Sequence, residues 1–239
     1  MVGALLLRGL LAGLIAGLLA FGFAKFIGEP QVDKAIAFES QMAAARGEAP
    51  EPELVSRATQ SSWGLLTGTL VYGTAVGGIF ALVFAYASGR VGAIGPRGLS
   101  ALLALAAFLA VILVPGLKYP ANPPAVGDPE TIGQRTQLFF AMLAFSLAAM
   151  IAAVSAGRHL RRRLGAWNAS LAAAAGFVVV IAAIQILLPD VNEVPEDFPA
   201  VVLWRFRESA LGLHIVLWAT IGLVFGPLAE RYFRGALRR

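Results

Sequence analysis

Two proline-rich stretches hold the side chains best suited to chemistry. One reads Lys118-Tyr119-Pro120-Ala121-Asn122-Pro123-Pro124, then Gly127-Asp128-Pro129-Glu130. The other reads Pro189-Asp190-Val191-Asn192-Glu193-Val194-Pro195-Glu196-Asp197-Phe198-Pro199. Asp128, Glu130, Asp190, Glu193 and Asp197 supply hard carboxylate oxygens, and Asn122 and Asn192 add neutral carbonyls. Such groups clustered at a mouth raise the local cation concentration by focusing the field. The plainer alternative is a solvated loop whose acids offset Lys118, Arg135, Arg205 and Arg207. The prolines favour shaped loops over slack ones. His214 is the other candidate: an imidazole is a good ligand for borderline divalent metals. No second histidine or buried carboxylate is spaced to join it, so a neutral histidine bonded across a helix interface is the competing reading.

Several chemistries are excluded. There is no Cys, which removes disulfides, thiolate metal sites and cysteine nucleophiles. Neither a phosphate-cradling Gly-x-x-x-x-Gly-Lys-Ser/Thr loop nor a His-Glu-x-x-His zinc pattern occurs. No catalytic constellation stands out, so the expectation is a protein that is not an enzyme and holds no tightly bound cofactor.

These residues must be positioned by apolar helices. The chain is 58% hydrophobic and 14% charged, where a soluble domain carries about 25% charge. Six apolar runs, roughly 3–27, 63–88, 99–117, 138–157, 168–188 and 209–229, are each long enough to cross a hydrocarbon core of about 30 Å. The expected fold is therefore one all-α polytopic membrane domain over 1–239. The first run starts as a signal peptide would, yet no basic residue precedes Val2 and the apolar stretch exceeds the usual 7–15 residues. It is expected to be retained as a span. The basic pI near 10.1 fits a cytoplasmic excess of Lys and Arg better than nucleic-acid binding.

Orientation follows from counting. Arg8, Arg90, Arg97, Arg158, Arg161, Arg162, Arg163, Arg231, Arg234, Arg238 and Arg239 lie on one side, together with a single acid, Glu230. The other 8 bases and 13 of the 14 acids lie on the opposite side. The arginine-rich side is the cytoplasmic one, which puts both termini inside. The three outer loops are long, the first with a helical stretch over 32–45, and the inner ones are about ten residues, as tight antiparallel connections are. Arg57-Ala58-Thr59-Gln60, Arg135-Thr136-Gln137 and Arg207-Glu208-Ser209 close the outer loops alike. Either a threefold helical-hairpin repeat or chance recurrence of polar caps accounts for that.

Gly9, Gly13 and Gly17 lie four apart, as do Gly64 with Gly68, Gly73 with Gly77, and Gly222 with Gly226. Such stripes let helix backbones approach to contact, within the chain or against a second subunit, including another copy. Polar atoms inside the spans are neutral: Thr67, Thr69, Tyr72, Thr74, Ser146, Gln185 and Thr220. Most hydroxyls are expected to bond back to the preceding turn. The Gln185 amide needs a partner in hydrocarbon. Thr69, Tyr72 and Gln185 are the candidate lining of a polar pathway. No Asp or Glu lies mid-span, so the usual proton-relay residue of a coupled carrier is missing.

The stretch from Leu117-Lys118-Tyr119-Pro120 to Gly133-Gln134-Arg135-Thr136 is distinctive. So are Leu188-Pro189, Val191-Asn192-Glu193-Val194-Pro195, Asp197-Phe198-Pro199-Ala200 and Leu203-Trp204-Arg205-Phe206-Arg207. With the opening Arg8-Gly9-Leu10-Leu11-Ala12-Gly13-Leu14 and Glu29-Pro30, the chain resembles the CbtA family of cobalt transporter subunits along essentially its whole length. The resemblance implies a bacterial inner-membrane protein, Co²⁺ as transported ion, and a small single-span partner with a histidine-bearing end, CbtB. It brings no ligand set. A chain with few imidazoles would gain from such a companion, seated on the glycine stripes or in a groove between hairpins. The competing functions are a non-transporting scaffold for the partner and an intramembrane enzyme acting on a lipid-linked substrate.

Overall fold

The structure, a computed structural model, describes residues 1–47 and 54–236 of the 239. Arg238 and Arg239 of the basic tail lie outside the described residues, as do Glu48, Glu51 and Glu53 of the first outer loop. Among the described residues every regular element is helical, and five helices are long and apolar enough to cross a membrane. The chain divides into two compact units. One comprises Met1–Leu105, Asn122–Val126 and Glu196–Arg239; the other comprises Ala106–Ala121 and Gly127–Pro195.

In the first unit, α1 (Val2–Phe23) passes through a π-helical turn, Ala24–Gly28, directly into α2 (Glu29–Ala45). The outer loop expected from residue 28 therefore begins as helix. Pro30 is tolerated because it sits in the first turn of α2, where a missing N–H costs least. A short α3 (Arg57–Thr59) is started by Ser56, whose hydroxyl accepts the Thr59 N–H at 3.3 Å. It runs through a second π-helical turn, Gln60–Gly64, into α4 (Leu65–Ala87).

These two composite helices pack antiparallel, α1 along α4, as far as the first turns of α2. A Cβ added at Gly9 would strike Gly77, one at Gly13 the Gly73 carbonyl, and one at Gly17 the Thr69 carbonyl at 2.5 Å. Further out, Lys25 Nζ donates to the Ser61 carbonyl at 2.9 Å, and Arg57 pairs with Glu29 and, at 3.0 Å, with Asp33. Each step along one helix is matched by an equal step back along the other. Register holds past the π-turns because each helix has one at that level. The Gly9, Gly13 and Gly17 stripe of the first span and the Gly73 and Gly77 stripe of the second are thus filled within the chain, whereas nothing lies within 4 Å of a Cβ at Gly68.

The apolar helix that follows comprises α5 (Pro96–Ala107), a π-helical stretch Phe108–Leu113 and α6 (Val114–Lys118). In the first unit α5 lies antiparallel to α8 (Ala200–Ala236). Ser100 Oγ donates to the Gly222 carbonyl at 2.7 Å, and Arg97 Nε meets Glu230 at 2.7 Å. Gly222 and Gly226 are closed off by Ala104 and Arg97. The Phe225 ring packs edge-on against Phe80 and Phe84, and all three rings are buried.

The second unit is built on α7 (Ile132–Leu187). The inner loop expected over 158–167 is instead helical: Arg158, Arg161, Arg162 and Arg163 are good helix formers and continue the run. The break is one residue, Gly165, at φ 73° and ψ 171°, a conformation glycine adopts without steric cost. The chain folds back there, since a Cβ at Gly157 would lie 3.1 Å from that of Ala173. The two arms enclose a small core of Val114, Tyr119, Met142, Ala149 and Ile181, with Phe139, Phe177 and Ile184 against it.

Candidate functional site

In the second unit the two proline-rich segments are clasped to each other by side chains from both. Helix α6 ends at Lys118, which places its ammonium against Asp190 and the Tyr119 phenol against the Pro189 carbonyl, to which it donates at 2.8 Å. Both contacts hold residues 118–119 to the end of the returning arm of α7. Tyr119 is buried, and burial pushes its phenol above the usual pKa near 10; the Lys118 charge offsets this and Asp190 adds to it.

At the start of α7, Thr131 Oγ1 donates to Glu193 at 2.8 Å and Arg135 Nε approaches the same carboxylate at 3.5 Å. The Glu193 side chain is 1% exposed, and these donors offset the cost of taking its carboxylate out of water. Arg135 also donates to the Pro120 carbonyl and so ties both segments to one helix turn. Asp128 folds on itself, accepting the Glu130 N–H at 2.9 Å, and its carbonyl receives the Ile132 N–H at 2.9 Å. Asn192 closes a similar turn with the Val194 N–H at 3.2 Å.

The five predicted carboxylates therefore have different surroundings. Glu193 is buried and clasped, and Asp190 is ion-paired although 93% exposed. Asp128 and Glu130 are exposed on the loop rim. Asp197 is exposed too, and belongs to the first unit. Among the described residues no three His, Asp or Glu side chains converge as a metal-holding group. What the rim offers a cation is a field, with weak and displaceable contacts.

The remaining expected residues fall into both units. In the first, Arg207 donates to Asn122 Oδ1 at 3.1 Å, and Arg205 lies exposed in the first turns of α8. Two turns further in, the His214 ring stands edge-on to Tyr72, 6.3 Å between centroids. Its Nδ1 is buried and carries no hydrogen bond among the described residues; nor does Trp218 Nε1, one turn on. Thr69 bonds back to the Leu66 carbonyl at 3.1 Å and packs on Gly17. In the second unit, Gln185 Nε2 donates to the Val114 carbonyl at 3.1 Å, the partner its amide requires.

Two features were missed by sequence reasoning. Thr131 was not singled out, although a hydroxyl at a helix start beside an acidic loop is a recognisable donor. Trp218 lies four residues after His214, one helical turn, and that spacing was available to be read.

A family model described as probable cobalt transporter subunit (CbtA) matches residues 2–230. No curated protein and no solved structure matches the chain.

Proposed function

Since the chain belongs to the CbtA family of probable cobalt transporter subunits, we propose that it is the multi-pass subunit through which a bacterial inner-membrane system takes up Co²⁺. Counting the two arms of α7 separately gives six spans, with both termini cytoplasmic and the proline-rich loops outside. The charge segregation supports this: 13 of the 14 acids fall on the outer side, and eleven of the 19 bases on the other.

The observation that carries the entrance is the division of labour among the acids. Glu193 and Asp190 are committed to shaping the loops, which leaves Asp128, Glu130 and Asp197 exposed to attract a hydrated divalent cation. Attraction without a cage suits conduction, which requires that an ion be drawn in yet released. Tyr72 and His214 are the inner polar pair available to a passing ion in the first unit, and Gln185 that in the second. Gly9, Gly13 and Gly17 of α1 and Gly73 and Gly77 of α4 are taken by each other, so a small single-span, histidine-bearing partner would be accommodated on α7. Only 6% of the most apolar 18 residues of α7 are buried.

The test is cobalt accumulation in cells lacking this chain and complemented with D128N/E130Q/D197N, each with and without the small partner. Uptake should fall by about threefold or more, most at low ionic strength. Uptake equal to that of the parent chain would remove the entrance. A scaffold reading is favoured by the exposed apolar face of α7 and predicts no flux from the purified chain in liposomes.

A further inference from the structure

Away from the acidic loops, a cleft of ≈ 330 Å³ opens in the first unit, lined by Gln31 and Lys34 of α2 and by Val201, Val202 and Arg205 of α8. The Phe38 and Phe198 rings, edge-on at 5.1 Å, clamp α2 to the start of α8 and form a fixed base for it. Among the described residues the three acids of α2 do not pair with its cations: Glu29 and Asp33 are both drawn to Arg57, and Glu39 forms no ion pair with Lys34 or Arg205. Among the described residues, Lys34 makes only a 3.3 Å contact with Gln31 Oε1, and Arg205 makes no ion pair. Two uncommitted cations facing one cleft, at the positive end of the α8 dipole, form an electropositive pocket on the side of the molecule richest in acids.

We infer that this cleft is a phosphate-binding site, with the phosphate held between Lys34 and Arg205 and an amide donor from Gln31. The rest of the lining is an apolar wall, made by Val201 and Val202 one turn before Arg205 on α8, with Val201 itself 71% exposed. A free phosphate has no use for that wall, whereas the glycerol and first acyl carbons of a phospholipid would cover it. Trp204, exposed beside it, is the residue type enriched where headgroups meet hydrocarbon. An anionic headgroup is therefore the occupant to which the cleft is matched.

The experiment uses the full-length chain, purified in detergent and stripped of lipid, with thermal unfolding followed as each probe is titrated. Phosphatidylglycerol should raise the midpoint of the parent chain, since a ligand bound only by the folded state stabilises it. In K34Q/R205Q its apparent affinity should fall about tenfold or more, and K34R/R205K should restore it. Inorganic phosphate without effect assigns the site to the headgroup. Inorganic phosphate stabilising the parent chain but not K34Q/R205Q keeps the site and assigns it to the free anion. Equal responses of parent and K34Q/R205Q to phosphatidylglycerol, equal stabilisation by uncharged diacylglycerol, or no response to either phosphate would overturn the inference. None of these readouts involves cobalt.

Discussion

In the first unit, α1 and α4 approach until the Gly13 position has no room for a methyl group, and 39% of the most apolar stretch of each is buried. In the second, the apolar stretch of α7 is 6% buried, and cohesion comes from the end that carries the proline-rich segments, where Arg135, Thr131, Glu193, Lys118, Tyr119 and Asp190 join residues from both ends of α7. Lipid tails are as apolar as Leu, so apolar area alone does not drive helices together in a bilayer. What remains is close backbone contact or a network of polar bonds. The first unit relies on contact, and the second chiefly on the network.

The sharpest way to break that contrast is to fill a glycine in each unit. Gly13→Leu should destabilise the first unit by about 3 kcal/mol or more, because its Cβ meets backbone, which cannot swing aside. Gly176→Leu in the second should cost almost nothing, since nothing lies within 4 Å of its Cβ position. Resistance of the purified chain to denaturant, read with tryptic cleavage to locate the loosened region, compares the two. Equal losses would erase the distinction.

A smaller effect is expected in the network. Arg135→Met should cost about 2 kcal/mol by removing a charged donor from Glu193 and from the Pro120 carbonyl. Cleavage by a glutamate-specific protease should increase at Glu130 and Glu193 and leave the α1–α4 pair as resistant as before. Loss of protection in α1 and α4 as well would show that the clasp is not local.

Smaller still is Tyr119→Phe, at about 1 kcal/mol for the bond to Pro189. Tyr119 has a folded pKa raised above its ordinary value near 10. Its contribution is therefore fully present below that value and is lost as pH rises through the raised one, when a phenolate could no longer donate. The parent chain should thus lose stability above about pH 10 by an amount that Tyr119→Phe does not. Identical alkaline profiles would rule out that role.

The fold was legible to the extent that the bilayer imposes it. Span lengths follow from hydrocarbon thickness, so the apolar run at 63–88 covers α4 with a residue or two at each end, and those at 99–117 and 209–229 lie within α5–α6 and α8. Gly9, Gly13 and Gly17 were recognisable as a packing stripe, though not which helix they met: Gly73 and Gly77 answer them only because α1 and α4 share a register. Composition concealed the helical course of 158–163, because a run of arginines reads equally as loop or as helix, and Gly165 supplies the break with one residue. Among the acids, their number and spacing were legible but not their roles. Glu193 and Asp197 are four apart and chemically alike, and the difference between a buried carboxylate and an exposed one depends on Thr131 and Arg135, some sixty residues earlier.

The matched π-helical turns, Ala24–Gly28 and Gln60–Gly64, set where this hairpin can tolerate a change of length. Each takes up one surplus residue locally, so the residues before and after it keep their faces toward the partner helix. Excising a residue there returns an ordinary α-turn and leaves Gly17 and Glu29 pointing as they do now. The same excision between Gly9 and Gly13 would rotate everything beyond it by about 100°, turning the glycine seam out of the contact.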